Sequence, residues 1–159
     1  MKISTADLGS HPLEVKSQET EETLNWSDEE AKLASPVVVK LKFFKDGGKI
    51  FAAGEAVARI SLFCSRCAES FVYDSKTDLD LEYVEGEEKD LPEDPEGRED
   101  LAKKSFFKGP FIDPLEDIRQ SVALNIPMKP LCRQDCKGLC PRCKGNLNRN
   151  ECRCDTRLA

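Results

Sequence analysis

Six of the eight cysteines of this 159-residue chain fall in its last 28 residues, and the other two stand together far upstream. The distal array has the spacing C-x3-C-x3-C-x2-C-x8-C-x-C, and its members are Cys132, Cys136, Cys140, Cys143, Cys152 and Cys154. The upstream pair, Cys64 and Cys67, forms a C-x2-C motif. Cysteines two to four residues apart can place two thiolates on one edge of a tetrahedron around Zn²⁺, with Zn–S bonds of about 2.3 Å. Four close pairs therefore predict two zinc ions, each held by four sulfurs.

The spacing leaves two ways to divide these ligands between two sites. In the arrangement that we favour, the last four cysteines form one compact site, and the first two distal cysteines close a second site with the upstream pair. Pro141 stiffens the loop of the compact site, and Gly145 follows where backbone N–H groups are expected to turn toward the sulfurs. The alternative groups the first four distal cysteines and leaves the upstream pair to meet Cys152 and Cys154.

An even number of cysteines is also compatible with disulfide bonds. Secreted disulfide scaffolds are usually short chains behind a signal peptide. The first seven residues of this chain are polar, and no apolar h-region follows Met1. No run approaches the roughly 18 apolar residues of a membrane span. We therefore expect reduced, metal-binding thiols in a cytoplasmic protein with no membrane contact.

Alternating and β-branched segments predict a β-rich body upstream of the cysteines. Strand signals begin after Pro36, and Asp46-Gly47-Gly48 supplies a hairpin turn. The predicted strands are residues 37–44, 49–51, 55–63, 70–73 and 79–83. Short strands joined by tight turns favour an antiparallel meander or barrel-like domain over parallel βαβ units. Cys64 and Cys67 then lie at the turn between two adjacent strands, which is a natural position for a zinc knuckle.

One amphipathic helix is predicted over residues 114–125. Asp113 is a good N-cap, Pro114 suits the first helical position, and Glu116 completes a capping box. Residues 1–35 are polar and at most start a short helix at residues 27–30.

The fold class that we expect is α+β in two parts. Residues 1–127 form an acidic β-rich domain that contains the helix and a mobile acidic loop at residues 84–100. Residues 128–159 form a C-terminal cysteine-rich zinc-binding segment, called the tail below.

Basic residues concentrate in the tail. It holds eight basic and three acidic residues, a formal charge of +5, which leaves −11 for residues 1–127 out of a total of −6. Four thiolates around one Zn²⁺ carry a net charge of about −2, so zinc binding brings the tail closer to neutral. The candidate RNA-binding residues lie around the distal cysteines and are Arg142, Lys144, Arg149 and Arg153.

The sequence argues against an enzyme. A hydrolytic zinc site keeps an open coordination position and normally uses histidine, whereas the single histidine, His11, lies in the polar N-terminal region. A thiol oxidoreductase would place a C-x2-C motif before a helix, but Cys64 and Cys67 are predicted between strands.

Several of these elements together resemble the YceD family, which is named for large ribosomal RNA subunit accumulation. They are the upstream Cys64-Ser-Arg-Cys67 knuckle, the helix, the Gly138-Leu-Cys-Pro-Arg-Cys143 stretch and Asn146-Leu-Asn148. The resemblance covers the chain from about Phe51 to the end. Lys144 departs from it, since the family usually has a glycine there. The resemblance implies a role in accumulation of 23S rRNA, with no established catalytic activity.

The expected function is therefore that of a non-enzymatic zinc-binding factor in large ribosomal subunit biogenesis. Its expected partner is large-subunit rRNA or a particle on the way to the large subunit. Two alternatives stay open. In the first, the zinc module is an adaptor that binds a ribosomal protein or an assembly factor. In the second, the zinc thiolates act as a redox-sensing switch.

Overall fold

The structure is a computed structural model that describes residues 1–9, 11–86 and 104–154. Its helix and strands, in chain order, are β1 (Ile3–Ser4), β2 (Leu13–Glu19), β3 (Lys32–Leu33), β4 (Val37–Asp46), β5 (Lys49–Phe63), β6 (Ser70–Glu85), β7 (Ser105–Phe107), β8 (Phe111–Ile112) and α1 (Leu115–Leu124). The prediction of β strands with a helix is thus confirmed for the described residues.

Six strands form the main sheet, in the order β2-β4-β5-β6-β7, with β3 also paired to β5. Neighbours are antiparallel apart from β6 and β7, which run parallel. Strands β1 and β8 form a separate two-stranded sheet. In the part of the chain that the structure describes, neither sheet closes on itself, so the barrel-like prediction is wrong. The terminal strands of the order, β2 and β7, are not paired with each other, so the main sheet stays open.

Strand β5 is one strand of 15 residues where the sequence predicted two, at residues 49–51 and 55–63. Small residues join the two parts. Ala52 is fully buried, and a Cβ added at Gly54 would lie 1.9 Å from the Lys40 carbonyl oxygen on β4. The small residues that obscured the strand pattern are therefore the ones that allow β4 and β5 to pair closely.

Strand β6 likewise joins the predicted strands 70–73 and 79–83 into one strand of 16 residues. The polar residues between them still alternate, because Ser75 and Thr77 face the core and are buried. Their hydroxyl oxygens accept hydrogen bonds from Asn125 Nδ2, at 3.0 Å and 3.1 Å. Because the buried residues in the middle of this strand are polar, the hydrophobic pattern did not predict that part of the strand.

The core lies between the inner face of the main sheet and α1. Its largest fully buried side chains include Tyr83, Phe43, Leu24, Ile50, Ile60, Ile112, Ile118, Val37, Val39 and Val122. Ile118 and Val122 are the buried positions of α1, in agreement with the predicted amphipathic pattern. The opposite face of the sheet carries ion pairs between exposed or partly exposed side chains, such as Lys42–Glu14 at 2.8 Å.

The start of α1 differs from the predicted capping box. The helix spans Leu115–Leu124 rather than residues 114–125, and its N-cap position is Pro114, which has no side-chain capping hydrogen bond, rather than Asp113. The carboxylate of Asp113 accepts a hydrogen bond from the Leu115 amide at 3.3 Å. Glu116 is engaged elsewhere, because its carboxylate accepts hydrogen bonds from Arg119 and from Gln120.

The N-terminal region is more ordered than predicted, since it supplies β1, β2 and β3. Residues 27–30, where we predicted at most the start of a short helix, are not helical. The predicted acidic loop at residues 84–100 lies outside the described residues from 87 onward, and its first residues complete β6. No helix in the described ranges is both long and apolar enough to cross a membrane.

Candidate metal centres

The eight cysteine sulfurs gather into two groups of four. Site 1 consists of Cys64, Cys67, Cys132 and Cys136, and site 2 of Cys140, Cys143, Cys152 and Cys154. Within each group all sulfurs lie within 4.8 Å of one another. This is the first of the two arrangements that the sequence left open, and the alternative is not the one in the structure.

The sulfur separations fit a four-coordinate ion. Sulfurs about 2.3 Å from a common centre at the tetrahedral angle stand about 3.8 Å apart. The closest pairs in site 1 are 3.7 Å apart, and those in site 2 are 3.8 Å and 3.9 Å apart. A disulfide requires an S–S distance of about 2.05 Å, and all eight cysteines are free. The donor set and its spacing therefore suit Zn²⁺ at both sites.

Site 1 begins at the turn between β5 and β6. The Cys64 amide donates a hydrogen bond to the Glu69 carbonyl at 2.9 Å, and the Ala68 amide donates to the Cys64 carbonyl at 2.8 Å. Ala68 has a φ of +57°, the left-handed conformation that this tight turn needs. The turn presents Cys64 and Cys67 side by side.

The other half of site 1 comes from the segment after α1. The Ser65 amide donates to the Pro130 carbonyl at 2.8 Å, and the Arg66 guanidinium donates to the Cys136 carbonyl at 2.9 Å. These bonds hold the segment against the β5–β6 turn. Cys64, Cys67 and Cys136 are buried, while Cys132 is partly exposed.

Site 2 repeats the same knuckle with other residues. The Cys140 amide donates to the Gly145 carbonyl at 2.9 Å, and the Lys144 amide donates to the Cys140 carbonyl at 2.9 Å. Lys144 has a φ of +59°, which is the conformation that glycine adopts without strain. A Cβ added at Gly145 would lie 2.6 Å from the Glu151 carbonyl oxygen, so the loop that leads to Cys152 can pack closely only against glycine there.

Backbone amides lower the pKa of Cys64 in the first knuckle and of both Cys140 and Cys143 in the second. Burial opposes ionisation of Cys64, but amides of Cys132, Cys67 and Arg66 outweigh it and lower the pKa of this thiol to about 6. Amides of Gly145 and Arg153 lower the pKa of Cys143 to about 6 as well. Thiolates are the form that binds metal, so both knuckles are prepared for it.

The loop of site 2 also contacts site 1, which the sequence reasoning did not foresee. Asn148 Nδ2 lies 3.3 Å from Cys136 Sγ. The Leu139 amide donates to the Arg66 carbonyl at 3.1 Å, and the Leu147 amide donates to the Gly138 carbonyl at 3.0 Å. The part of the sequence that could have indicated this contact is the Asn146-Leu-Asn148 stretch, because the spacing of metal ligands does not account for these residues.

The four candidate RNA-binding residues are all exposed near site 2. Arg149 forms an ion pair with Glu69, 2.5 Å between Nη2 and Oε1, so its charge is partly neutralised within the protein. Among the residues that the structure describes, no acidic partner lies within ion-pair distance of Arg142, Lys144 or Arg153. Arg149 thus has a partner within the protein, and the other three cations are exposed without one in the described residues.

Comparison with known proteins bears on the same region. A family model described as "Large ribosomal RNA subunit accumulation protein YceD" matches residues 52–159, a range that includes all eight cysteines. A curated relative from Arabidopsis thaliana, "Large ribosomal RNA subunit accumulation protein YCED homolog 1, chloroplastic", is 28% identical over 141 residues. The match covers 76% of this chain and 44% of that relative, so the chain spans less than half of the relative's length. No solved structure matches the chain.

Proposed function

This chain belongs to the YceD family, and from that premise we propose that it supports accumulation of large-subunit (23S) rRNA and so biogenesis of the large ribosomal subunit. The observation that carries the proposal is the family match over residues 52–159, which spans both four-sulfur groups and the helix. The proposed location is the compartment that holds the ribosomes, which we take to be the cytoplasm.

We propose that both four-sulfur groups hold zinc in a structural role. Site 1 joins the β5–β6 turn to the segment after α1, and site 2 closes the tail on itself. In each site four thiolates would complete the coordination of a bound zinc ion and would leave no open position for a substrate or an activated water. This supports a non-enzymatic protein in which zinc, when bound, fixes the shape of a surface.

We further propose that the exposed cations around site 2 contact rRNA directly. Arg142, Lys144 and Arg153 lie on short loops of one compact cluster, so binding would order few additional side chains. Three phosphate contacts give a modest affinity. The logarithm of the binding constant should fall with the logarithm of the salt concentration, with a slope of about 0.9 or less per contact. Such a surface suits a folded RNA recognised by shape or a particle in which a protein partner also contributes.

Depletion of the protein from its native cells tests the biological role. The expected result is a lower ratio of 23S to 16S rRNA and fewer large-subunit particles in sucrose gradients. Re-expression of the parent chain should restore both. A depleted strain whose rRNA ratio and gradient profile match the parent strain would show that the proposed role is wrong.

A charge-matched pair of variants tests the RNA contact. The test variant replaces the three exposed cations Arg142, Lys144 and Arg153 with Gln and leaves Arg149, which pairs with Glu69. The control replaces three exposed lysines of β2 and β4 with Gln, namely Lys16, Lys42 and Lys45. The test variant should lose co-sedimentation and crosslinking to large-subunit particles, with its zinc content unchanged, while the control keeps both. Loss of co-sedimentation without any crosslink in the parent would instead indicate an adaptor that contacts a protein of the particle.

A further inference from the structure

We propose that Asn148, in the loop of site 2, is a positioning residue for site 1, and that it makes metal binding at the two sites cooperative. The inference rests on the proposed zinc occupancy of both sites, and it is independent of the role in rRNA accumulation. It assigns a function to a side chain that is not itself a ligand.

The hydrogen bonds of Asn148 fix the orientation of its side-chain amide. Its Oδ1 accepts from the Lys137 backbone amide at 2.8 Å and from Arg133 Nη2 at 2.8 Å. An amide oxygen that already accepts from two N–H donors cannot be exchanged with the NH2 group without losing both bonds. The NH2 group must therefore face Cys136, whose sulfur lies 3.3 Å from Nδ2.

An N–H donor at this place acts on the metal-binding form of the ligand. Cys136 is buried, with 3% of its surface exposed, so water contributes little to the stabilisation of its thiolate. A hydrogen bond to an ionised acceptor is stronger than one between neutral groups. Loss of such an outer contact to a metal ligand typically lowers metal affinity about 10–100-fold.

The position of Asn148 depends on site 2. Its loop runs from Cys143 to Cys152, two ligands of that site, so metal at site 2 holds both ends of the loop. The Arg149–Glu69 ion pair and the Asn148 amide then attach the loop to the β5–β6 turn and to Cys136. Without metal at site 2, backbone hydrogen bonds such as Leu147 to Gly138 still hold part of the loop, but the link between Cys143 and Cys152 is lost, so ordering Asn148 costs more conformational entropy. Metal at site 2 therefore raises the affinity of site 1, and linkage requires the reverse effect to be equal.

Asn148→Asp is a nearly isosteric test. The aspartate keeps an oxygen for the Lys137 amide and Arg133 but cannot donate to the sulfur of Cys136. Asn150→Asp is the matched control, because Asn150 lies exposed in the same loop and has a φ of +56°, which Asp tolerates. Both variants change the net charge by the same amount, but N148D also places a carboxylate oxygen beside the sulfur of Cys136. The uncharged Asn148→Ala variant, which cannot donate to that sulfur either, is therefore measured beside it.

Zinc affinity is measured by titrating reduced apoprotein against a chromophoric chelator, with circular dichroism to verify that each variant folds on metal addition. We expect N148D to lower the affinity of site 1 about 10–100-fold, and N150D to leave it within about twofold of the parent. The same comparison is repeated in a chain with Cys152→Ser and Cys154→Ser. Site 1 should already be weakened there, and N148D should add little.

Three results would overturn the inference or its premise, and they differ from one another. Equal affinities for N148D and N150D would show that the amide bond to sulfur does not matter. A full effect of N148D in the chain that lacks site 2 would show that Asn148 supports site 1 without coupling it. A parent chain that binds no zinc would refute the proposed zinc occupancy itself.

Discussion

With the proposed zinc bound, the two four-sulfur sites should contribute unequally to stability, because they close loops of very different length. Site 1 ties Cys67 to Cys132 across most of the fold, while site 2 ties Cys143 to Cys152 within the tail. The perturbation that compares them is a pair of double variants. One variant replaces Cys64 and Cys67 with Ser, and the other replaces Cys152 and Cys154 with Ser.

The expected magnitudes follow from the chain entropy of the unfolded state. A cross-link that closes roughly 65 residues stabilises a fold by about 4 kcal/mol, and one that closes roughly 10 residues by about 3 kcal/mol. For a chain of this size about 1 kcal/mol shifts the melting temperature by about 2–4 °C. Removal of site 1 should therefore lower the melting temperature by about 8–16 °C, and removal of site 2 by about 6–12 °C.

The assay combines metal content with unfolding. Protein purified without chelator under reducing conditions should carry two zinc ions per chain, and each double variant should carry one. Thermal unfolding is followed by circular dichroism in the β-sheet region, and hydrogen exchange shows where protection is lost. Loss of site 1 should expose amides at the β5–β6 turn, whereas loss of site 2 should leave the sheet protected.

The reasoning fails if the site 2 variant loses more stability than the site 1 variant, or if the chain without Cys64 and Cys67 still binds two zinc ions. The second result would mean that the sulfurs are grouped differently from the structure. A parent chain whose fresh lysate contains disulfides in place of thiols would contradict both sites.

Three further predictions concern single side chains. Lys144→Gly should stabilise site 2 by about 0.5–1 kcal/mol, because it relieves the left-handed backbone at φ +59°, and slower zinc removal by a chelator would show it. Gly138→Ala should weaken site 1, because its Cβ would lie 2.9 Å from the Arg66 carbonyl oxygen at a φ of +74°; unchanged zinc affinity would contradict this close approach. Hydrogen bonds from Arg119 lower the pKa of Glu116 to about 2, so the stability they add is present above the ordinary pKa of 4.5 and is lost as pH falls toward 2. Arg119→Gln should move the Glu116 pKa upward in a carboxyl-carbon NMR titration, and an unmoved value would show that Arg119 is not the cause.

The strand pattern shows how far local sequence determined the fold. Alternation predicted the ends of β5 and β6, where buried positions are apolar. It missed their middles, where Gly54 is required by the close approach of β4 and where Ser75 and Thr77 are buried against Asn125. These residues meet partners far away in the chain, and a hydrophobic pattern contains no information about such partners.

The chemistry of the candidate sites was determined by the sequence itself. Cysteines two to four residues apart can share a metal whatever the rest of the chain does, because the reach of a tight turn fixes the distance between their sulfurs. Residue type and spacing therefore sufficed to predict four-sulfur sites and the two knuckles at Cys64–Cys67 and Cys140–Cys143.

Only the tertiary structure decided which pairs meet and what surrounds them. The pairing of Cys64 and Cys67 with Cys132 and Cys136 requires the segment after α1 to return to the β5–β6 turn. That return is set by packing of α1 against the sheet, across about 65 residues of intervening chain. The bond from Asn148 to Cys136 likewise exists only after both loops are in place. Short-range geometry thus specified which cysteines can act as ligands. Long-range packing specified which cysteine pairs form each site, because that packing depends on the whole core.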